Sequence, residues 1–119
     1  MQDFTPVDSV AELQTEDRVV GTGAEVSPGD TVTCHYTGAV AKTGTVFQSS
    51  RDFGRPISFP LSGVIAGWTE GVPGMKVGGT RRLLIPAAKA YGGTPPYGSG
   101  IPANADLVFD IELVAIAGK

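Results

Sequence analysis

The sequence predicts an α+β fold: an antiparallel sheet, polar on one face, packed on a single short helix. Three observations carry this. Of 119 residues, 41% are hydrophobic and 18% charged, and 17 glycines and 9 prolines separate short apolar runs. That is the composition of a turn-rich β protein, not of a disordered chain. Segments 31–39 and 106–116 alternate apolar and polar residues with the two-residue period of half-buried strands. Segment 65–72 contains Trp68 and Glu70, has no proline, and is ended by Gly71 and Pro73, as a short helix is.

Taken in order, residues 1–10 show no sustained period and read as a tail or linker. Residues 11–119 form one domain, a length that suits a single core. A first strand is expected over 11–18, followed by turns at Gly21-Thr22-Gly23 and Pro28-Gly29-Asp30. The strand over 31–39 places Val32, Cys34 and Tyr36 on one face and Thr33, His35 and Thr37 on the other. Lys42-Thr43-Gly44 turns the chain into a strand over 45–48. Residues 49–55 are polar and irregular, and 57–61 form a short strand. After the helix come a strand over 80–85, closed by Pro86, and a single helical turn over 87–91. Residues 92–102 hold three prolines and four glycines and read as a structured loop. The last strand, 106–116, turns Leu107, Phe109, Ile111 and Leu113 one way and Asp110 and Glu112 the other.

Composition removes several functions. The net charge is −3 and no face is basic, which disfavours nucleic acid as a partner. No apolar run approaches the roughly 20 residues that span a bilayer. One cysteine, Cys34, allows no internal disulfide and no multi-cysteine zinc site, and one histidine, His35, allows no multi-histidine metal centre. Neither a metal nor a cofactor is expected. No long apolar stripe is left for a partner, so a monomer is expected. No charged start followed by an apolar stretch is seen, so the default compartment is the cytoplasm, while residues 1–10 also suit the end of a linker in an exported protein.

Nucleophilic chemistry fares poorly. Cys34 and His35 are strand neighbours pointing to opposite faces, and a dyad needs both side chains within hydrogen-bond reach. The serines lack a second histidine for a triad. No phosphate-binding glycine motif occurs. Gly78-Gly79-Thr80-Arg81-Arg82 reads as a tight turn followed by solvated arginines. What remains is a set of rings: Tyr36, Phe47, Phe59, Trp68, Tyr91, Tyr97 and Phe109. They either fill the core or line a cup for a small apolar group.

The order of short motifs goes further. His35-Tyr36-Thr37-Gly38, Phe47-Gln48-Ser49-Ser50-Arg51-Asp52, Val64-Ile65-Ala66-Gly67-Trp68-Thr69-Glu70-Gly71, Gly74-Met75-Lys76-Val77-Gly78-Gly79, Ala90-Tyr91-Gly92 and Leu107-Val108-Phe109-Asp110-Ile111-Glu112-Leu113 follow one another. Together they closely resemble the FKBP-type peptidyl-prolyl isomerases over residues 13–116. The resemblance implies a sheet of five or six antiparallel strands wrapped around one short helix, with a site between them. Trp68 would be its floor, Tyr36, Phe47, Val64, Ile65 and Phe109 its walls, and Tyr91 its rim donor. Ile101 and the loop carrying Tyr97 would cover it, and Gln48 and Ile57 would complete the substrate contacts.

By this resemblance, Tyr91, Ile65, Trp68 and Phe109 catalyse rotation about Xaa–Pro bonds in peptides and in unfolded or folding proteins. The alternative is a non-catalytic proline-binding or chaperone module using the same pocket. Macrolides such as tacrolimus and rapamycin are the other implied ligands. Three departures stand out. Gln48 replaces the family's usual aspartate, a ligand contact in the family. Ile57 stands where an aromatic is common. The loop at Ser62-Gly63 is shorter, and the flap, with Pro95-Pro96-Tyr97, is slightly longer, than in the small eukaryotic members.

Overall fold

A computed structural model describes residues 3–119. Six strands make one antiparallel sheet: β1 (Gln14–Val19), β2 (Thr31–Val40), β3 (Val46–Ser49), β4 (Ile57–Pro60), β5 (Thr80–Ile85) and β6 (Leu107–Ile116). The spatial order is β1-β5-β6-β2-β3, with β4 also paired to β2. One helix, α1 (Ala66–Gly71), packs against it. The expected α+β architecture is the observed one, with strand ends no more than three residues from the expected ones. The helical turn expected over 87–91 is a 3-10 turn over Ala87–Lys89.

Strand β2 organises the sheet. It pairs with β6 along its whole length, from Val32 opposite Ile116 to Val40 opposite Leu107. On its other edge β4 pairs with Thr31–Cys34 and β3 with Thr37–Ala39. Between the two partners the edge has a gap at His35 and Tyr36. The fully buried Ser50 fills it: its Oγ accepts the Tyr36 N–H at 2.8 Å and donates to the Tyr36 carbonyl at 3.3 Å. A side-chain hydroxyl thus completes the ladder where no strand does, which meets the demand of buried backbone groups for partners. The same oxygen lies 3.0 Å from His35 Nδ1, so His35 is half-buried and engaged rather than freely exposed.

The alternation in β2 and β6 decides what is inside. Val32, Cys34 and Tyr36 are buried, as are Leu107, Phe109, Ile111 and Leu113. They form one cluster with Trp68 from α1, Val72 just after it, and Leu83 and Ile85 from β5. The helix lies directly on β5 because Gly67 has no side chain: a Cβ there would stand 2.5 Å from Ile85 Cγ2.

Two surface expectations differ from what is observed. Arg82 is not solvated but buried, with its guanidinium on both carboxylate oxygens of Asp110 at 2.6 and 2.7 Å. That pairing, with the Asp3 carbonyl at 2.6 Å, is what lets a charge lie there. Residues 3–10 of the expected tail or linker lie against the domain. Phe4 stacks under Arg82 at 5.5 Å, the Val7 N–H donates to the Ala41 carbonyl at 2.9 Å, and Val10 is buried. These contacts join segments 34 to 79 residues apart, so no local period announces them.

Candidate functional site

Between the concave face of the sheet and the start of α1 lies a cavity of about 470 Å³. It is lined by Tyr36, Phe47, Gln48, Phe59, Gly63, Val64, Ile65, Trp68, Tyr91 and Phe109. No charged side chain is among them. Tyr36 comes from the inward face of β2, Phe109 from that of β6, and Phe47 from β3. The loop before α1 brings Val64 and Ile65, and the first turn of α1 brings Trp68. Tyr91 follows the 3-10 turn after β5.

The rings brace one another edge to face. Trp68 meets Tyr36 at 5.6 Å between centroids, Phe59 at 5.1 Å and Phe109 at 5.4 Å. Phe47 stands against Phe109 at 5.7 Å with planes 85° apart. Such pairs add about 0.5–1.5 kcal/mol each beyond burial, so the rings help hold one another in place. Trp68 is 4% exposed and forms the floor. The phenol of Tyr36 is pushed up from its ordinary value, first by burial and then by the neighbouring Tyr91. It stays protonated and can donate.

Eight of the sequence-predicted site residues therefore meet in one cup: Tyr36, Phe47, Gln48, Val64, Ile65, Trp68, Tyr91 and Phe109. Three do not. Ile57 packs on the flank of the core and opens onto a separate depression with Arg55, Pro56 and Ser58. Its branched side chain is too short to reach the cup, whereas the ring of Phe59, two residues on, touches both Tyr36 and Trp68. Ile101 and Tyr97 line an adjoining cavity with Pro96, Gly98 and Ser99, and share Phe47, Gln48 and Tyr91 with the cup as a common wall.

Two lining residues were not assigned to the site from sequence. Phe59 was one of the rings, and its place on the inward side of β4 was the available signal. Gly63 carries no side chain and gave none. A further groove, of about 380 Å³, lies on the opposite polar face of the sheet. Its lining is largely charged and includes the pairs Arg82–Asp110 and Arg51–Glu112, so it does not suit an apolar guest.

A short helix laid on an antiparallel sheet, with an uncharged aromatic cup between them, leaves a space whose size and lining suit a small apolar ring. The sequence pattern described as FKBP-type peptidyl-prolyl cis-trans isomerase matches residues 23–114, and the chain belongs to that family. Peptidyl-prolyl cis-trans isomerase FPR2 of Saccharomyces cerevisiae is 53% identical over 93 residues, covering 75% of this chain and 67% of that protein. The FK506-binding protein of Streptomyces anulatus is 41% identical over 116 residues, covering 96% and 94%. The crystal structure of FkpA from Escherichia coli is similar with a TM-score of 0.79 and 42% identity, covering 87% of this chain and 47% of that one. The chain thus spans about half the length of that longer protein.

Proposed function

We propose that the cup receives the prolyl ring of an Xaa–Pro segment and speeds rotation about the bond before it. The barrier to that rotation is about 18–20 kcal/mol and comes from amide resonance. At the twisted transition state the amide loses resonance and much of its dipole. Water stabilises the planar, more polar form; an apolar cup does not. The cup therefore favours the twisted form, and each 1.36 kcal/mol of that preference gives about tenfold in rate. No covalent bond to the protein is formed.

Trp68 supports the ring from below, and Phe47, Phe59, Val64 and Phe109 enclose it. The N–H of Ile65 sits at the N-cap of α1, where helix-end amides point outward, and holds one substrate carbonyl. The Tyr91 hydroxyl on the rim holds another, so one side of the bond is fixed while the other turns. The substrates are proline-containing peptides and segments of unfolded proteins, and macrolides of the tacrolimus class compete for the cup. The protein acts as a monomer.

The observation that carries this reading is the uncharged ring-lined cup with Trp68 at its base and Tyr91 at its mouth. The test is cis–trans exchange of a short Xaa–Pro peptide at 10 °C, with the wild type and with Tyr91→Phe. Saturable acceleration that drops in the variant supports the assignment. A folded protein that binds the peptide without acceleration would instead be a proline-binding module.

A further inference from the structure

We propose that Asp106 is a positioning residue for the rim of the cup, acting through Ala87 on the backbone that carries Tyr91. The inference rests on the isomerase reading above and on the role given there to Tyr91.

Asp106 is half-buried just before β6, outside the cup lining. Its Oδ1 accepts the Ala87 N–H at 2.8 Å. Ala87 opens the 3-10 turn after Pro86, and Pro86, at the N-cap, has no side-chain acceptor to offer. Asp106 supplies that acceptor from 19 residues away. The carbonyl of the same Ala87 accepts the N–H groups of Ala90 at 3.0 Å and Gly92 at 2.9 Å. Those amides lie on either side of Tyr91. Ala87 is thus held on its donor side by Asp106 and in turn holds both flanks of Tyr91 with its acceptor.

The other oxygen grips elsewhere. Asp106 Oδ2 accepts the Val10 N–H at 2.7 Å, and the Asp106 carbonyl accepts the Ala41 N–H at 2.9 Å. Bonds to an ionised acceptor are roughly twice as strong as neutral ones. One carboxylate therefore clamps the rim turn to residue 10 and, through its own backbone, to the end of β2. The place of Tyr91 is set by this clamp, because a rim donor must keep its geometry to within a fraction of an ångström to contribute fully.

The test is a double-mutant cycle on exchange of the Xaa–Pro peptide, with Asp106→Ala placed in the wild type and in Tyr91→Phe. Urea unfolding is run on all four proteins. If Asp106 works through Tyr91, Asp106→Ala lowers kcat/KM about tenfold in the wild type and less than about twofold in Tyr91→Phe. Its stability loss is the same in both backgrounds. Equal activity losses in both backgrounds, or none in either, would overturn the inference and leave Asp106 a structural cap. Should Tyr91→Phe alone change nothing in an active protein, the rim role and this inference fall together while the isomerase reading stands. An inactive wild type overturns all three. Asp106→Asn keeps one acceptor oxygen and serves for the same cycle if the alanine variant does not fold.

Discussion

Gly38 stands opposite Phe109 across the β2–β6 ladder, and the missing side chain of the one makes room for the ring of the other. A Cβ on Gly38 would lie 2.6 Å from Phe109 Cε1 and 2.7 Å from Phe47 Cζ. Neither distance is compatible with an ordinary carbon contact, which sits near 3.5–4.0 Å. Two walls of the cup therefore occupy the space above one glycine. The need at this position is for a close approach, not for an unusual backbone angle.

Gly38→Ala is expected to lower stability by about 1–3 kcal/mol, the usual cost of overpacking a core site. Phe47 is half-buried and is the ring that can give way, which would open the cup. Affinity for an Xaa–Pro peptide should then fall further than the stability loss explains. Urea unfolding beside a peptide titration separates the two. A variant as stable as the wild type with unchanged affinity would show that the rings have room to spare.

Trp68 is the only tryptophan and touches three rings of the cup. Trp68→Ala should cost about 3–5 kcal/mol, the range for truncating a buried aromatic. Trp68→Phe should cost less, because part of the floor remains. In the wild type, fluorescence reports the cup without a label: a proline peptide that enters it must alter the Trp68 emission and do so saturably. Emission unmoved by a peptide whose exchange the protein accelerates would place the catalytic site elsewhere.

Much of this was legible in the sequence, and the reasons lie in particular residues. The two-residue period of β2 and β6 identified Tyr36 and Phe109 as inward-facing, and the proline-free stretch around Trp68 located the helix. Motif order joined them into one site. Period tells which side a residue faces but not how far it reaches, which is why Ile57 and Phe59 could not be told apart. Both face inward from β4, and only the longer one arrives at the cup. The burial of Arg82 also escaped, because its partners Asp110 and Asp3 are 28 and 79 residues away. Ser50 looked like loop, yet its hydroxyl completes β2, a role set by a gap that exists only once β3 and β4 share an edge.

Cys34 gives the clearest pH prediction. It is fully buried, and burial pushes its thiol from 9.0 up to about 12. The folded state thus holds this proton more tightly than the unfolded chain does. Its contribution to stability is complete below about pH 9 and is lost as pH rises from there toward about 12. Tyr36, raised by burial and by Tyr91, acts in the same direction, so the comparison must be between variants. Cys34→Val removes the thiol, and its alkaline limb should be shallower than that of the wild type by up to about 1.4 kcal/mol per pH unit. The native thiol should also resist iodoacetamide at pH 8.5, where an unfolded control reacts. Superimposable alkaline limbs for the two proteins would mean that Cys34 ionises in the folded state as it does in the unfolded one.

Gln48 sits exposed on the wall shared by the cup and the adjoining cavity under the flap. A neutral amide there can accept one hydrogen bond from a guest hydroxyl, but without the strength that charge lends it. A carboxylate would make the stronger bond, worth about 1.5–3 kcal/mol against about 1 for a neutral pair. Its usual cost, desolvation, is small at an exposed position. Gln48→Asp is therefore expected to fold as the wild type does and to bind tacrolimus about tenfold more tightly, read by competition against the Trp68 fluorescence signal. Exchange of an Xaa–Pro peptide should change less, because the bond being rotated lies over the rings rather than beside residue 48. An unchanged tacrolimus affinity would mean that the guest does not extend to this wall, and the next substitution to make would be at Tyr97, on the far side of the same cavity.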